Sequence, residues 1–165
     1  MNSQFVPLKY IPSILTDSEK KKQRNMLLRS RKSYKKNKYY TRKQLKSYTN
    51  KTSNHIVNAR KLYNITNIAP NKELSNKTGC SIAALRKIVN KGEGAYYSSG
   101  SRPNQTPHSW GFARLASAIT GGKAAAIDYD IIEKGCDHSK KAFILANKSR
   151  RNYKLQHRKT ARVKL

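Results

Sequence analysis

The sequence predicts a mainly α protein: a small multi-helix core with a helix-turn-helix-like hairpin, flanked by basic N- and C-terminal arms that are part extended and part helical. Three observations carry this. Apolar residues recur at helical spacing in several segments between 54 and 134. Helix-capping residues stand immediately ahead of those segments. The charge is also uneven along the chain. The net charge is +28 over 165 residues. Residues 1–65 carry 17 Lys and Arg against 2 acids, and residues 136–165 carry 10 against 1. Between them, residues 66–135 carry only 9 against 5. The expected division is therefore an N-terminal arm (1–50) with one or two helices, a helical core (51–135), and a basic C-terminal helix and tail (136–165). Arms of like charge and little apolar area do not collapse alone. They need an anion: nucleic acid, an acidic protein surface or anionic lipid.

Taken in order, residues 1–15 mix apolar residues with Pro7 and Pro12. Proline fixes φ and favours an extended segment. Phe5, Tyr10, Ile11 and Ile14 are candidate apolar anchors for a partner's groove; the alternative is a free tail. Thr16 and Glu19 then fit a capping box, with Asp17 and Glu19 placed where a helix N-terminus favours negative charge. The helix should run to about Lys32 or Lys36. It presents Lys20, Lys21, Lys22, Arg24, Arg29, Arg31 and Lys32 as candidate phosphate or partner contacts. Thr41 with Gln44 suggests a second, short helix to about Tyr48, adding Arg42 and Lys43 to the candidates. Thr52-Ser53 caps a clearer helix over 54–64.

Residues 71–92 (NKELSNKTGCSIAALRKIVNKG) carry the best local motif. A small residue, Ser75, lies four before the turn glycine, Gly79. Leu85 and Ile88 follow at six and nine after it. That spacing is the helix-turn-helix pattern, which needs a small residue where the helices cross and a glycine free to adopt positive φ. Read as DNA-binding, the second helix presents Ala83, Ala84, Arg86, Lys87 and Asn90. Read as an ordinary helical hairpin, the same residues pack a small core. Gly92 is expected to end this helix.

Residues 95–106 read as a polar loop. Tyr96, Tyr97 and Arg102 either stack bases and bind phosphate or pin the loop to the core, and pinning is the favoured reading. Thr106-Pro107 opens a helix to about Thr120, Gly121-Gly122 stops it, and a last core helix spans 123–134. After Gly135, Ser139 is a candidate cap for a helix whose Phe143, Ile144 and Leu145 form a small apolar patch. Arg150, Arg151 and Arg158 mark the basic tail as a further candidate contact.

Catalytic constellations do not emerge. The four histidines are scattered, Asp128 and Asp130 point to different faces of one helix, and no phosphate-binding loop matches. The chain is expected not to be an enzyme and to take no cofactor, metal or small-molecule substrate. Cys80 and Cys136 have neither metal-ligand spacing nor the density of a disulfide framework, so a reducing compartment is expected. No apolar run is long enough to span a membrane, and no secretory leader is seen.

The string AYYSSGSRPNQTPHSWGFARLASAITGGKAAAIDYDII resembles a small uncharacterised domain family of large nucleocytoplasmic DNA viruses. YIPSILTDSEKKKQ, YYTRKQLKSY and KTSNHI upstream are also similar, and the resemblance covers about residues 7–147. It implies a viral origin and supplies no catalytic residue. The expected role is then a minor capsid or cementing component of the virion, made in the host cytoplasm or nucleus and not secreted. Its partners would be other capsid proteins and DNA, met through the basic arms. The alternative is a nucleic-acid-binding protein that packages or reads DNA. A ribosome-associated protein is a third reading.

Overall fold

The computed structural model describes residues 4–156 and 160–165. It is mainly α. Among the described residues there are eight α-helices and one two-stranded antiparallel sheet. The helices are α1 (Asp17–Tyr34), α2 (Asn54–Tyr63), α3 (Lys72–Thr78), α4 (Ile82–Ser98), α5 (Pro107–Ile119), α6 (Lys123–Ile127), α7 (Tyr129–Gly135) and α8 (Lys141–Gln156). The strands are β1 (Phe5–Pro7) and β2 (Arg162–Lys164). The chain forms two compact units. Of the described residues, one unit takes in 4–51, 93–110 and 160–165, and the other 52–92 and 111–156. The divisions fall inside α4 and α5.

In the first unit the described residues nearest the two ends of the chain come together. β1 pairs with β2, Val6 opposite Val163. Val6, Tyr10, Ile11 and Leu27 form a buried cluster, with Trp110, Val163 and Leu165 against it. Tyr10 meets Trp110 edge-on at 5.8 Å between centroids. A second cluster joins Leu15, Met26 and Leu45, with Tyr40 and Tyr48 beside them. Each such side chain taken fully out of water stabilises the fold by about 1.5–3 kcal/mol, which offsets the repulsion among the cations.

The Thr16 capping box forms as expected: the Glu19 N–H donates to Thr16 Oγ1 at 3.2 Å, and the Thr16 N–H donates to Glu19 Oε2 at 3.4 Å. The second helix expected from Thr41 to Tyr48 does not form. Residues 38–45 are irregular, because backbone groups there are claimed from elsewhere. The Asn104 side chain accepts from the Leu45 N–H at 2.7 Å and donates to the Leu45 and Tyr48 carbonyls at 3.0 and 2.7 Å.

The second unit has the larger core. Leu74, Leu85, Ile88, Leu115, Ile119 and Ile132 are its large, fully buried members. Gly79 takes the αL conformation (φ +74°) that turns α3 into α4. α4 does not stop at Gly92 but runs on to Ser98. Gly92 instead lets two helices touch: a Cβ there would lie 2.6 Å from the Gly111 Cα. The helix expected over 123–134 is broken into α6 and α7 at Asp128, a buried carboxylate. It accepts from Arg114 through Nε at 2.7 Å and Nη2 at 2.8 Å, and Lys91 Nζ lies 3.5 Å away. The expected basic C-terminal segment contributes α8 to this core through Ala142 and Ala146. Ser139 does not cap α8; its N–H and hydroxyl both donate to Asp137 Oδ1.

The cysteines are also corrected. Cys80 and Cys136 form a disulfide. The Ser81 N–H donates to the Gly135 carbonyl and the Asp137 N–H to the Gly79 carbonyl, each at 2.8 Å. This isolated antiparallel bridge sets the two side chains opposite each other, the close pair of such a ladder. The cysteines lie 56 positions apart in sequence, so no local spacing announces the pairing.

Candidate functional site

α1 holds seven of the fifteen basic candidate contacts, the largest group on one element. Its two acids, Asp17 and Glu19, sit in the first turn, where they complement the helix dipole. Beyond them the exposed side is cationic. Ser18, Lys21, Lys22, Asn25, Met26 and Arg29 line an open groove of about 330 Å³, with Tyr40 facing them. The spacing of three and four residues puts this set on one helix face. Arg29 lies over the Tyr40 ring, 4.4 Å from its centroid, within cation–π reach. Met26 gives the groove an apolar floor. Lys43 is exposed, and its N–H approaches Met26 Sδ at 3.3 Å. Among the described residues Lys21, Lys22, Arg29 and Lys32 meet no carboxylate, whereas Lys20 lies 3.5 Å from Asp17. Arg24 is half-buried.

Two of the expected contacts are structural instead. Arg42 is buried. Its guanidinium donates to Ser30 Oγ and the Tyr96 carbonyl, both at 2.9 Å, and to Ser101 Oγ at 2.8 Å. It stacks on the Tyr96 ring at 3.8 Å, and its N–H donates to the Tyr96 hydroxyl at 2.9 Å. Loss of solvent lowers the Arg42 pKa, opposed by the surrounding tyrosines. Arg31 donates to the Ser99 carbonyl at 2.9 Å and the Phe5 carbonyl at 3.3 Å. Desolvation and then the neighbouring Arg162 hold its pKa down.

The four expected anchors also divide. Tyr10 and Ile11 are buried in this unit's own core, so they are not offered to a partner. Phe5 remains 43% exposed and Ile14 66% exposed. Tyr96 is fully buried and pins its segment, as expected, but from within α4, since only the residues after Ser98 are loop. Arg102 in that loop is exposed.

In the second unit the α3–α4 hairpin forms with its expected geometry. Asn71 caps α3, the Ser81 hydroxyl accepts from the Ala84 N–H at 3.1 Å, and Leu85 and Ile88 are buried. Ala83, Arg86, Lys87 and Asn90 lie on the outer side of α4, with Arg86, Lys87 and Asn90 exposed. Ala84 does not: it is buried where a Cβ on Gly135 would lie 2.4 Å from its own. Arg86 and Lys87 form no ion pair with any described residue. Arg150 covers the Tyr129 ring at 4.4 Å, and Arg151 is exposed. Arg158 lies outside the described residues. Among those residues no three His, Cys, Asp or Glu gather as metal ligands would, and no helix is long and apolar enough to cross a membrane.

The groove is legible in part from the sequence, through the basic spacing along α1. Tyr40 is not, because it reaches that face only through the irregular 38–45 segment.

The family described as "Family of unknown function (DUF5824)" matches residues 7–135, and the chain belongs to it. No curated protein and no solved structure matches the chain.

Proposed function

We propose that this protein binds nucleic acid through the phosphate backbone, with the cationic face of α1 as the principal contact. One observation carries the reading: Lys21, Lys22 and Arg29 converge on a single groove and meet no carboxylate among the described residues. Lysines and arginines left unneutralised on one face repel each other and bind a polyanion with release of its counterions. The exposed Arg86 and Lys87 of the hairpin are a second contact. The test is binding of duplex and single-stranded DNA and RNA across a range of salt. Affinity should fall steeply with salt. Changing Lys21, Lys22 and Arg29 together to Gln should lower it at every salt and flatten the log–log slope by up to about 0.9 for each phosphate no longer neutralised. Absence of binding at low salt, or a triple variant that binds like the parent, overturns the proposal. Arg86→Ala with Lys87→Ala reports the share of the hairpin.

The second reading is a virion role, as a minor capsid component of a large DNA virus, in keeping with the resemblance of residues 95–132 to a viral domain family. The exposed apolar side chains of Phe5, Leu8 and Ile14 favour it, since such groups near one chain end suit a protein neighbour. Mass spectrometry of purified particles tests it, and absence from them overturns it.

A further inference from the structure

The first unit also carries a tyrosine cluster away from the α1 groove. Tyr34 in the last turn of α1 and Tyr97 in the last turn of α4 lie nearly parallel, 9° apart with centroids 6.1 Å from each other. Tyr39 leans on both, 5.1 Å from Tyr97 and 6.2 Å from Tyr34. The base of the cluster is packed: Tyr97 abuts Tyr96 edge-on at 5.2 Å, and Tyr96 is buried beneath Arg42. The outer member is open, with Tyr39 71% exposed.

The sequence builds this locally. After α1 the Lys36 and Lys38 N–H groups both donate to the Ser33 carbonyl, and the Asn37 N–H donates to that of Tyr34. Asn37 takes a left-handed φ of +56°, a conformation asparagine tolerates. The chain thus doubles back and brings Tyr39 to Tyr34. Lys35, Lys36 and Lys38, on the turn itself, are exposed and meet no carboxylate among the described residues.

We propose that Tyr39 is a stacking platform for a base of single-stranded nucleic acid, with Lys35, Lys36 and Lys38 holding the flanking phosphates. This deepens the proposed function and rests on it. Tyr39 meets Tyr34 and Tyr97 at tilts of 59° and 57° instead of stacking face to face, and most of it stays in solvent. A duplex covers its base faces with neighbouring bases, so it has nothing to lay on an exposed ring. A single strand has open faces, and stacking on an aromatic tolerates any sequence.

The test compares oligothymidylate, oligouridylate and a duplex of equal length by fluorescence anisotropy at fixed salt. Tyr39→Ala should weaken binding of one or both single strands by about tenfold and leave the duplex unchanged. Tyr39→Phe, which keeps the ring, should bind like the parent. Circular dichroism of the variants checks that the fold is kept. Equal single-strand affinity in parent and Tyr39→Ala overturns the platform while the backbone reading stands, as does an equal loss on the duplex. A parent protein that binds none of the three overturns the underlying reading.

Discussion

Arg42 carries a charge into the interior of its unit, and its hydrogen bonds explain why it remains there. Three oxygens accept from its guanidinium and one tyrosine ring stacks on it. Removing a buried charged partner strands the groups that paired with it. Arg42→Met should cost about 2–4 kcal/mol of stability in urea unfolding. Arg42→Lys should recover little, because an ammonium lacks the planar fork. A variant as stable as the parent would return Arg42 to the surface contacts. Glu19 is the opposite case, a half-buried side chain at the surface yet specifically held. Hydrogen bonds from the Ser47 side chain and N–H, then from Thr16, keep its pKa below the usual 4.5. A depressed folded-state pKa contributes stability that is present above the unfolded value and lost as pH falls through the folded one. Stability should therefore decline as pH drops below about 4.5, and Ser47→Ala should blunt that decline in thermal melts across the acid range. The Thr16–Glu19 box is legible in the sequence because it lies within four residues. The Ser47 bond is not, because it closes a span of 28.

Helix starts are legible in the sequence, and helix ends less so. Thr16, Ser53 and Thr106 cap as read, since a cap is decided by its own side chain and the next three residues, whereas Ser139 turns to Asp137 instead. Gly92 misleads as a stop because glycine has two uses: it permits positive φ, and it permits close approach. Sequence shows the glycine but not Gly111 facing it. The sign of one substitution separates the two uses. In an exposed helix interior Gly→Ala stabilises by about 0.5–1 kcal/mol. At Gly92 the new Cβ would meet backbone at 2.6 Å, so Gly92→Ala should destabilise, by roughly 1–3 kcal/mol. A gain in unfolding midpoint would show that α4 and α5 do not meet there. The absent helix over 41–48 follows the same rule in reverse. Its local propensity is adequate, but Asn104 takes the backbone groups it needs.

At the scale of the whole molecule, charge suggests a balanced core with two cationic arms, and the charge map itself is correct. It fails as a guide to folding because repulsion between cations is a modest, solvent-screened effect. Burial of Val6, Tyr10, Ile11, Ala142 and Ala146 outweighs it. Those contacts join residues far apart in sequence, such as Phe5 with Lys164, and no local pattern encodes them. The disulfide belongs to the same scale. By chain entropy, closing a span of 56 residues restricts the unfolded state by about 4 kcal/mol. Reductant should lower the urea midpoint of the parent and leave Cys80→Ser with Cys136→Ser unchanged; equal midpoints for the reduced and oxidised parent would contradict the bridge.

The central claim is that the carboxylate-free cations of α1 bind a phosphate backbone. Its most direct measurement is the salt dependence of DNA binding by the parent and by the Lys21, Lys22 and Arg29 triple Gln variant. Log affinity should fall linearly with log salt, with a lower intercept and a shallower slope in the variant. Superimposable lines, or no binding at low salt, would contradict the account.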